Sequence, residues 1–251
     1  MDPYIIEEHE EGLLVFTINR PEKRNAVSYE VMDGLEEALS RAGSESVKAL
    51  AITGAGNKAF CSGGDLSSFH GLKTEKEAFE MLSRMAGLLK TLLFLPKPTV
   101  AFLNGTAVGG GCELAAACDF RIAKGGTRAG FIQGTLAITT GWGGGTMLTE
   151  KLLPANAMKM LMEACLYSTE ELVELGFVHS IYEGEALEGC RSFLDKMLLL
   201  ESDVLKAYKE IMVKKWKANE VEERIEQEIR RCAILWEGEP HHKQVDRFMN
   251  K

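Results

Sequence analysis

A chain of 251 residues with 45% hydrophobic content is long enough to bury one large core, or a core with an appendage, and its composition argues against disorder. A formal charge of −8 argues against a nucleic-acid binder, whose contact face is ordinarily basic, so an anionic ligand has to find local cations. No apolar run is long enough to span a bilayer, since Leu88–Leu95 is interrupted by Lys90 and stopped by Pro96, and the acidic start MDPYIIEEHEEG has the character of neither a signal nor a transit peptide.

A cytoplasmic protein without membrane attachment is therefore expected. The six cysteines stand far apart with no CxxC, and the five histidines form no HExxH or facial cluster, so neither a metal site nor a disulfide framework is expected.

In chain order, Tyr4–Glu7 and Leu13–Asn19 read as two strands around Gly12. A polar loop, Arg20–Ala26, leads to Ser28 as the N-cap of a helix over Tyr29–Ala42, in which Val31, Leu35, Ala38, Leu39 and Ala42 share one face. A buried strand, Val47–Thr53, feeds the glycine-bearing stretch Gly54–Asp65. Thr74 and Glu77 then form a capping box for a helix that Pro96 and Pro98 must end.

The apolar run Thr99–Leu103 is broken by Gly105 and Gly109–Gly111 before an alanine-rich helix opens at Cys112. Further strands are expected at Phe120–Ala123, Arg128–Ile132, Leu136–Thr140 and Val178–Tyr182. Helices are expected from Thr146, from Pro154, and between the Ser168/Glu171 capping box and Gly176. Three glycine-rich turns thus follow three apolar segments, a loose internal repeat. From Ala186 onward the pattern is helical only and dense in Glu and Lys, with the apolar run Cys232–Trp236 expected to lie in a buried contact.

The strand, glycine turn and helix around Gly109–Glu113 form a candidate oxyanion site. The first N–H groups of a helix lack intrahelical partners, and glycine lets a ligand oxygen approach them. Glu113 in that first turn has a purely structural explanation, compensation of the helix dipole worth about 0.3–1 kcal/mol. It has a chemical one as well, because a carboxylate beside unpaired N–H donors is what proton transfer next to a developing enolate requires. Gly54-x-Gly56-x-x-Ala59 is not followed by the helix a dinucleotide fingerprint needs, and neither a phosphate loop nor a GxSxG elbow is present.

The stretches Asn19-Arg20-Pro21 with Asn25-Ala26, Ala59–Leu66 (AFCSGGDL) and Asn104–Asp119 (NGTAVGGGCELAAACD) resemble the crotonase superfamily, the enoyl-CoA hydratase/isomerase family, and the likeness spans nearly the whole chain. The resemblance implies an α/β fold, a crotonase-like spiral of ββα units over residues 1–190 with a C-terminal α-helical region, 191–251, that mediates trimers or dimers of trimers. It implies that the backbone N–H groups of Gly64 and Gly110 form the oxyanion hole for a CoA thioester, with Glu113 as the acid–base residue. Each such donor is worth about 2.7–4 kcal/mol in the transition state. Candidate substrate contacts are Lys23, Arg24, Ala26, Ser62, Gly63, Asp65, Leu66, Thr135 and Trp142. Coenzyme A enters as part of the substrate, with no separate cofactor.

One position departs from the pattern. Family hydratases carry a second glutamate four residues beyond a phenylalanine, where Phe131 is here followed by Thr135, and no Asp or Glu occurs between Asp119 and Glu150. Losing one acid–base group costs about 10²–10⁴ in rate. Decarboxylation of a 2-carboxyacyl-CoA needs no base to break its bond, and Trp142-Gly143-Gly144 is also similar to the ethylmalonyl-CoA decarboxylase branch. A hydratase or isomerase using Glu113 alone, and an acyl-CoA binder without catalysis, are the alternatives.

Overall fold

A computed structural model describes residues 2–249. β1 (Tyr4–His9) turns back on β2 (Leu13–Ile18) through Glu11 and Gly12, both in the left-handed region. After the polar turn at Pro21–Lys23, α1 (Tyr29–Ala42) lays Val31, Leu35, Ala38 and Leu39 on the core, as its periodicity requires. Ser28 stands at its N-cap but makes no side-chain capping bond, contrary to expectation: only its carbonyl joins the helix, accepting from Met32 N–H, and its hydroxyl is buried without a partner.

Three repeats follow. The first is β3 (Ala49–Gly54), β4 (Ala59–Cys61), the short α2 (Leu66–Phe69) and α3 (Glu75–Phe94), which opens on the Thr74/Glu77 capping box. The second is β5 (Thr99–Leu103), β6 (Thr106–Val108) and α4 (Gly110–Ala117). The third is β7 (Phe120–Lys124), β8 (Arg128–Gly130) and α5 (Gly144–Lys151), then α6 (Pro154–Glu163), β9 (Tyr167–Ser168), α7 (Thr169–Glu174) and β10 (Ser180–Tyr182).

Each repeat adds its first strand to one sheet and its second to another. The sheets run β1-β2-β3-β5-β7-β10, parallel from β2 onward, and β4-β6-β8-β9. Advancing one strand per turn of chain in both sheets makes a spiral of ββα units, and it stacks the loops after β4 and β6 side by side.

The segment Leu136–Thr140 is not a strand. A 3-10 turn over Gln133–Leu136 ends at Ala137 with φ +58°, where Ala137 N–H bonds to Gly134 and Ile138 N–H to Gln133, so the backbone closes on itself instead of pairing with a sheet. Its apolar residues still face inward, as alternating periodicity alone would also demand.

The helices α8 (Ala186–Leu198), α9 (Ser202–Ala218), α10 (Val221–Glu237) and α11 (Glu239–Met249) complete the described chain. Position 190 lies within α8, whose Cys190, Leu194 and Leu198 cover the outer face of the large sheet against Leu13, Val15, Ala51 and Phe102. The parallel strands are therefore buried on both faces, which is why they read as unbroken apolar runs. The Cys232–Trp236 stretch lies in α10, which packs along α3, with Trp236 Nε1–H donating to Leu72 O at 2.9 Å. No described helix is long and apolar enough to cross a membrane.

Candidate active site

Parallel pairing of β4 with β6 brings two distant turns together: Ala59 faces Thr106 and Cys61 faces Ala107. Gly63 adopts φ +94°, and a Cβ placed on it would lie 3.3 Å from Gly110 N, so the approach depends on glycine. Gly64 and Gly110 are both half-buried, and among the described residues neither N–H finds a backbone acceptor. The turn that carries Gly63 and Gly64 thus lies against the start of α4 at Gly110.

Glu113 lies one turn further into α4 and is 2% exposed. Its carboxylate does not turn toward its own helix. Oε1 accepts from Gln133 Nε2 at 2.9 Å and Gly141 N at 3.3 Å, and Oε2 from Trp142 N at 2.8 Å and Gly144 N at 2.9 Å. The carboxylate therefore caps α5 and pins the turn that carries Trp142. Burial and the neighbouring charge of Glu228 push its carboxyl up to about 7, against the pull of the three backbone N–H groups.

Two groups in this network were not among the expected site residues. Gln133 is buried and spans from Glu113 to the side of Gly109, with its Oε1 buried and unpartnered. Glu228, on α10, takes the next two N–H groups of α5, Gly145 at 3.0 Å and Thr146 at 2.7 Å, and the Thr146 hydroxyl at 2.6 Å. Two carboxylates from different parts of the chain thus share one helix N-terminus, where the dipole favours negative charge. A signal for Glu228 existed: it falls in phase with Ile225 and Cys232, a lone carboxylate on the buried stripe of an otherwise charged helix.

The remaining predicted residues divide by what their side chains touch. Lys23 and Arg24 are exposed, and their carbonyls accept from Ser62 Oγ at 3.5 Å and Ser62 N at 3.2 Å, so the two loops lie against each other. Ala26 is buried and Leu66 half-buried beside them. Asp65 is committed internally, pairing with Arg20 at 2.7 Å and accepting from Ser67 N at 3.0 Å as the N-cap of α2. Thr135 is exposed, its hydroxyl donating to Ile132 O at 2.7 Å. Trp142 is 4% exposed and packs across Gly110 toward Gly64.

A model of the enoyl-CoA hydratase/isomerase family matches residues 8–251. The chain belongs to that family. Among curated relatives of this family member, the crotonyl-CoA hydratase of Syntrophomonas wolfei subsp. wolfei is 35% identical over 184 residues, covering 73% of this chain and 70% of its own. The ethylmalonyl-CoA decarboxylase of Xenopus laevis is 30% identical over 233 residues, covering 91% and 77%. Among solved structures, an enoyl-CoA hydratase from Bacillus halodurans superposes with a TM-score of 0.88 at 24% identity, covering 98% of this chain and 99% of that one, a likeness of fold.

Proposed function

We propose that this family member acts on a CoA thioester and decarboxylates a 2-carboxyacyl-CoA, with the enolate oxygen held by the N–H groups of Gly64 and Gly110. The observation that carries this reading is the saturated carboxylate of Glu113. A carboxylate offers about four acceptor positions, and four donors occupy them, so Glu113 must release a donor before it can take up or give a proton, and it is a single acid–base group where hydration asks for two and decarboxylation for one. Thr135, in the place where the resemblance puts a second glutamate, supplies no carboxylate either.

Decarboxylation asks for no base at the bond-breaking step. The bond between Cα and the carboxylate breaks, its electron pair passes into the thioester to form the enolate, CO₂ leaves, and Cα takes up one proton. Donors already aimed at the oxygen where charge develops stabilise that step without reorganisation. Glu113, with its carboxyl raised to about 7, is partly protonated at neutral pH and is the acid that returns the proton, giving up one of its four donors as it does so. The Xenopus laevis relative, an ethylmalonyl-CoA decarboxylase by name, supports the same direction.

Hydration of an enoyl-CoA is the second reading, favoured by the 35% identical crotonyl-CoA hydratase. It requires Glu113 to release a donor before it can act as a base. In either case Lys23 and Arg24 supply the cations for the CoA phosphates, and Ser62–Leu66 lines the path to the thioester.

A homo-oligomer, a trimer or a dimer of trimers, is the proposed assembly. Its support is the stripe Val204, Tyr208, Ile211 and Met212, exposed along one face of α9.

The test is incubation with methylmalonyl-, ethylmalonyl-, crotonyl- and a 3-enoyl-CoA, with product masses read by spectrometry. Loss of CO₂ is expected. Gain of water on crotonyl-CoA without any CO₂ loss would replace this reading with hydration, and binding without conversion would make the chain an acyl-CoA binder.

A further inference from the structure

The turn after Thr140 does more than receive the Glu113 carboxylate. With Gly141, Trp142 and Gly144 all tied to Glu113, and Ile225 of α10 packed against Gly143 from behind, the backbone of this turn is held on two sides. The indole is thereby directed one way, across the two glycines. Its benzo carbons Cζ3, Cη2 and Cε3 occupy the space a Cβ on Gly110 would need, and Cζ2 stands 3.6 Å from a Cβ placed on Gly64. Phe69 closes the far side, its ring 3.0 Å from the same Gly64 position. An acyl group whose carbonyl oxygen rests on those two amides meets the indole within its first few carbons.

Resting on the acyl-CoA reading above, we infer that Trp142 is the size-determining wall of the acyl chamber, restricting this protein to short acyl groups. An indole buried on a fixed turn is a rigid wall, and close-packed surroundings leave it no alternative site without moving the turn. Longer chains are excluded by contact with the ring, and no charge or hydrogen bond takes part in the discrimination.

Calorimetric titration of the full-length protein and of Trp142→Ala and Trp142→Phe with free CoA, acetyl-CoA and octanoyl-CoA tests this. The native protein is expected to bind acetyl-CoA at least about 10-fold more tightly than octanoyl-CoA, since a pocket that lacks room for added methylenes discriminates on that scale. Trp142→Ala is expected to improve octanoyl-CoA binding about 10-fold or more, while acetyl-CoA changes by less than about 3-fold. Trp142→Phe, which keeps a planar ring on the turn, lies between the two and guards against a loosened fold in the alanine variant. Equal binding of both thioesters by the native protein, or a uniform change for both in the variants, overturns the inference while leaving the acyl-CoA reading standing. If free CoA and both thioesters all fail to bind the native protein, the acyl-CoA reading itself falls, and the inference with it.

Discussion

Each oxygen of the buried Glu113 carboxylate accepts two N–H donors, and the group answers two opposed forces. Burial and the nearby Glu228 favour the neutral acid; the donors favour the anion. Because the folded-state pKa, about 7, lies above the ordinary 4.5, the folded protein binds this proton more tightly than the unfolded chain does. Stability contributed by the group is therefore complete below about pH 4.5 and is lost as pH rises to about 7, by about 3 kcal/mol in all. Glu113→Gln removes that dependence but sets an amide donor against backbone donors. The variant is expected to be less stable than the native protein, with a deficit in urea denaturation that shrinks between pH 5 and pH 8. A deficit independent of pH would place the titration elsewhere. Glu228→Gln takes away the neighbouring charge, so the Glu113 midpoint is expected to fall, read as a downward shift in the pH dependence of turnover or in the carboxyl resonance by carbon NMR. Cys112 and Cys232, the other titrating groups near Glu113, are buried thiols pushed well above the usual range and stay neutral throughout.

Half of the proposed oxyanion site, Gly110, opens α4, and an eight-residue helix with free N–H groups at one end needs its other end secured. That end is held by two basic side chains, the buried Arg121 and the half-buried Lys151, whose charged forms burial disfavours. Lys151 Nζ donates to the carbonyls of Ala116, Ala117 and Cys118 at 2.7, 3.1 and 2.7 Å, and Arg121 Nη1 to Cys118 O at 2.9 Å. Cations at a helix C-terminus complement its dipole and satisfy carbonyls that have no partner within the helix. Asp119, paired with Lys209 of α9, ties the same corner to the C-terminal helices. Lys151→Met keeps the length of the side chain and removes the donor, leaving buried carbonyls short of partners. A loss of about 1–3 kcal/mol in urea denaturation is expected, and no loss would mean that water replaces the ammonium there. The helix that presents Gly110 is thus fastened at its far end by Lys151, Arg121 and Asp119.

At the scale of the whole molecule, the two sheets advance together, and that advance stacks the glycine turns of successive repeats. The C-terminal helices then close the site from behind, α10 supplying Glu228 to α5 and Ile225 to the Trp142 turn. The apolar stripe on α9 has no partner within the described chain. Ile211→Asp with Tyr208→Asp is expected to convert an oligomer to a monomer in sedimentation velocity; a native protein that already sediments as a monomer would refute the proposed assembly.

Most of the repeat was legible in the linear chain, because apolar runs, glycine breaks and capping boxes are local signals with a local physical cause. Those signals located the glycine turns and Glu113, the resemblance singled out Gly64 and Gly110 within the turns, and Tyr29–Ala42 emerged with the expected limits. They also misled at Leu136–Thr140, where a 3-10 turn packs Leu136 and Ile138 inward as a strand would. What the sequence by itself determined is the order of elements and the chemistry available at each turn. Only the tertiary structure decided that Glu113 spends all four acceptor positions, that Glu228 joins it at the same helix end, and that an indole lies against the two glycines. Such contacts join groups far apart in the chain, and a long-range contact leaves no period or spacing in either segment that makes it.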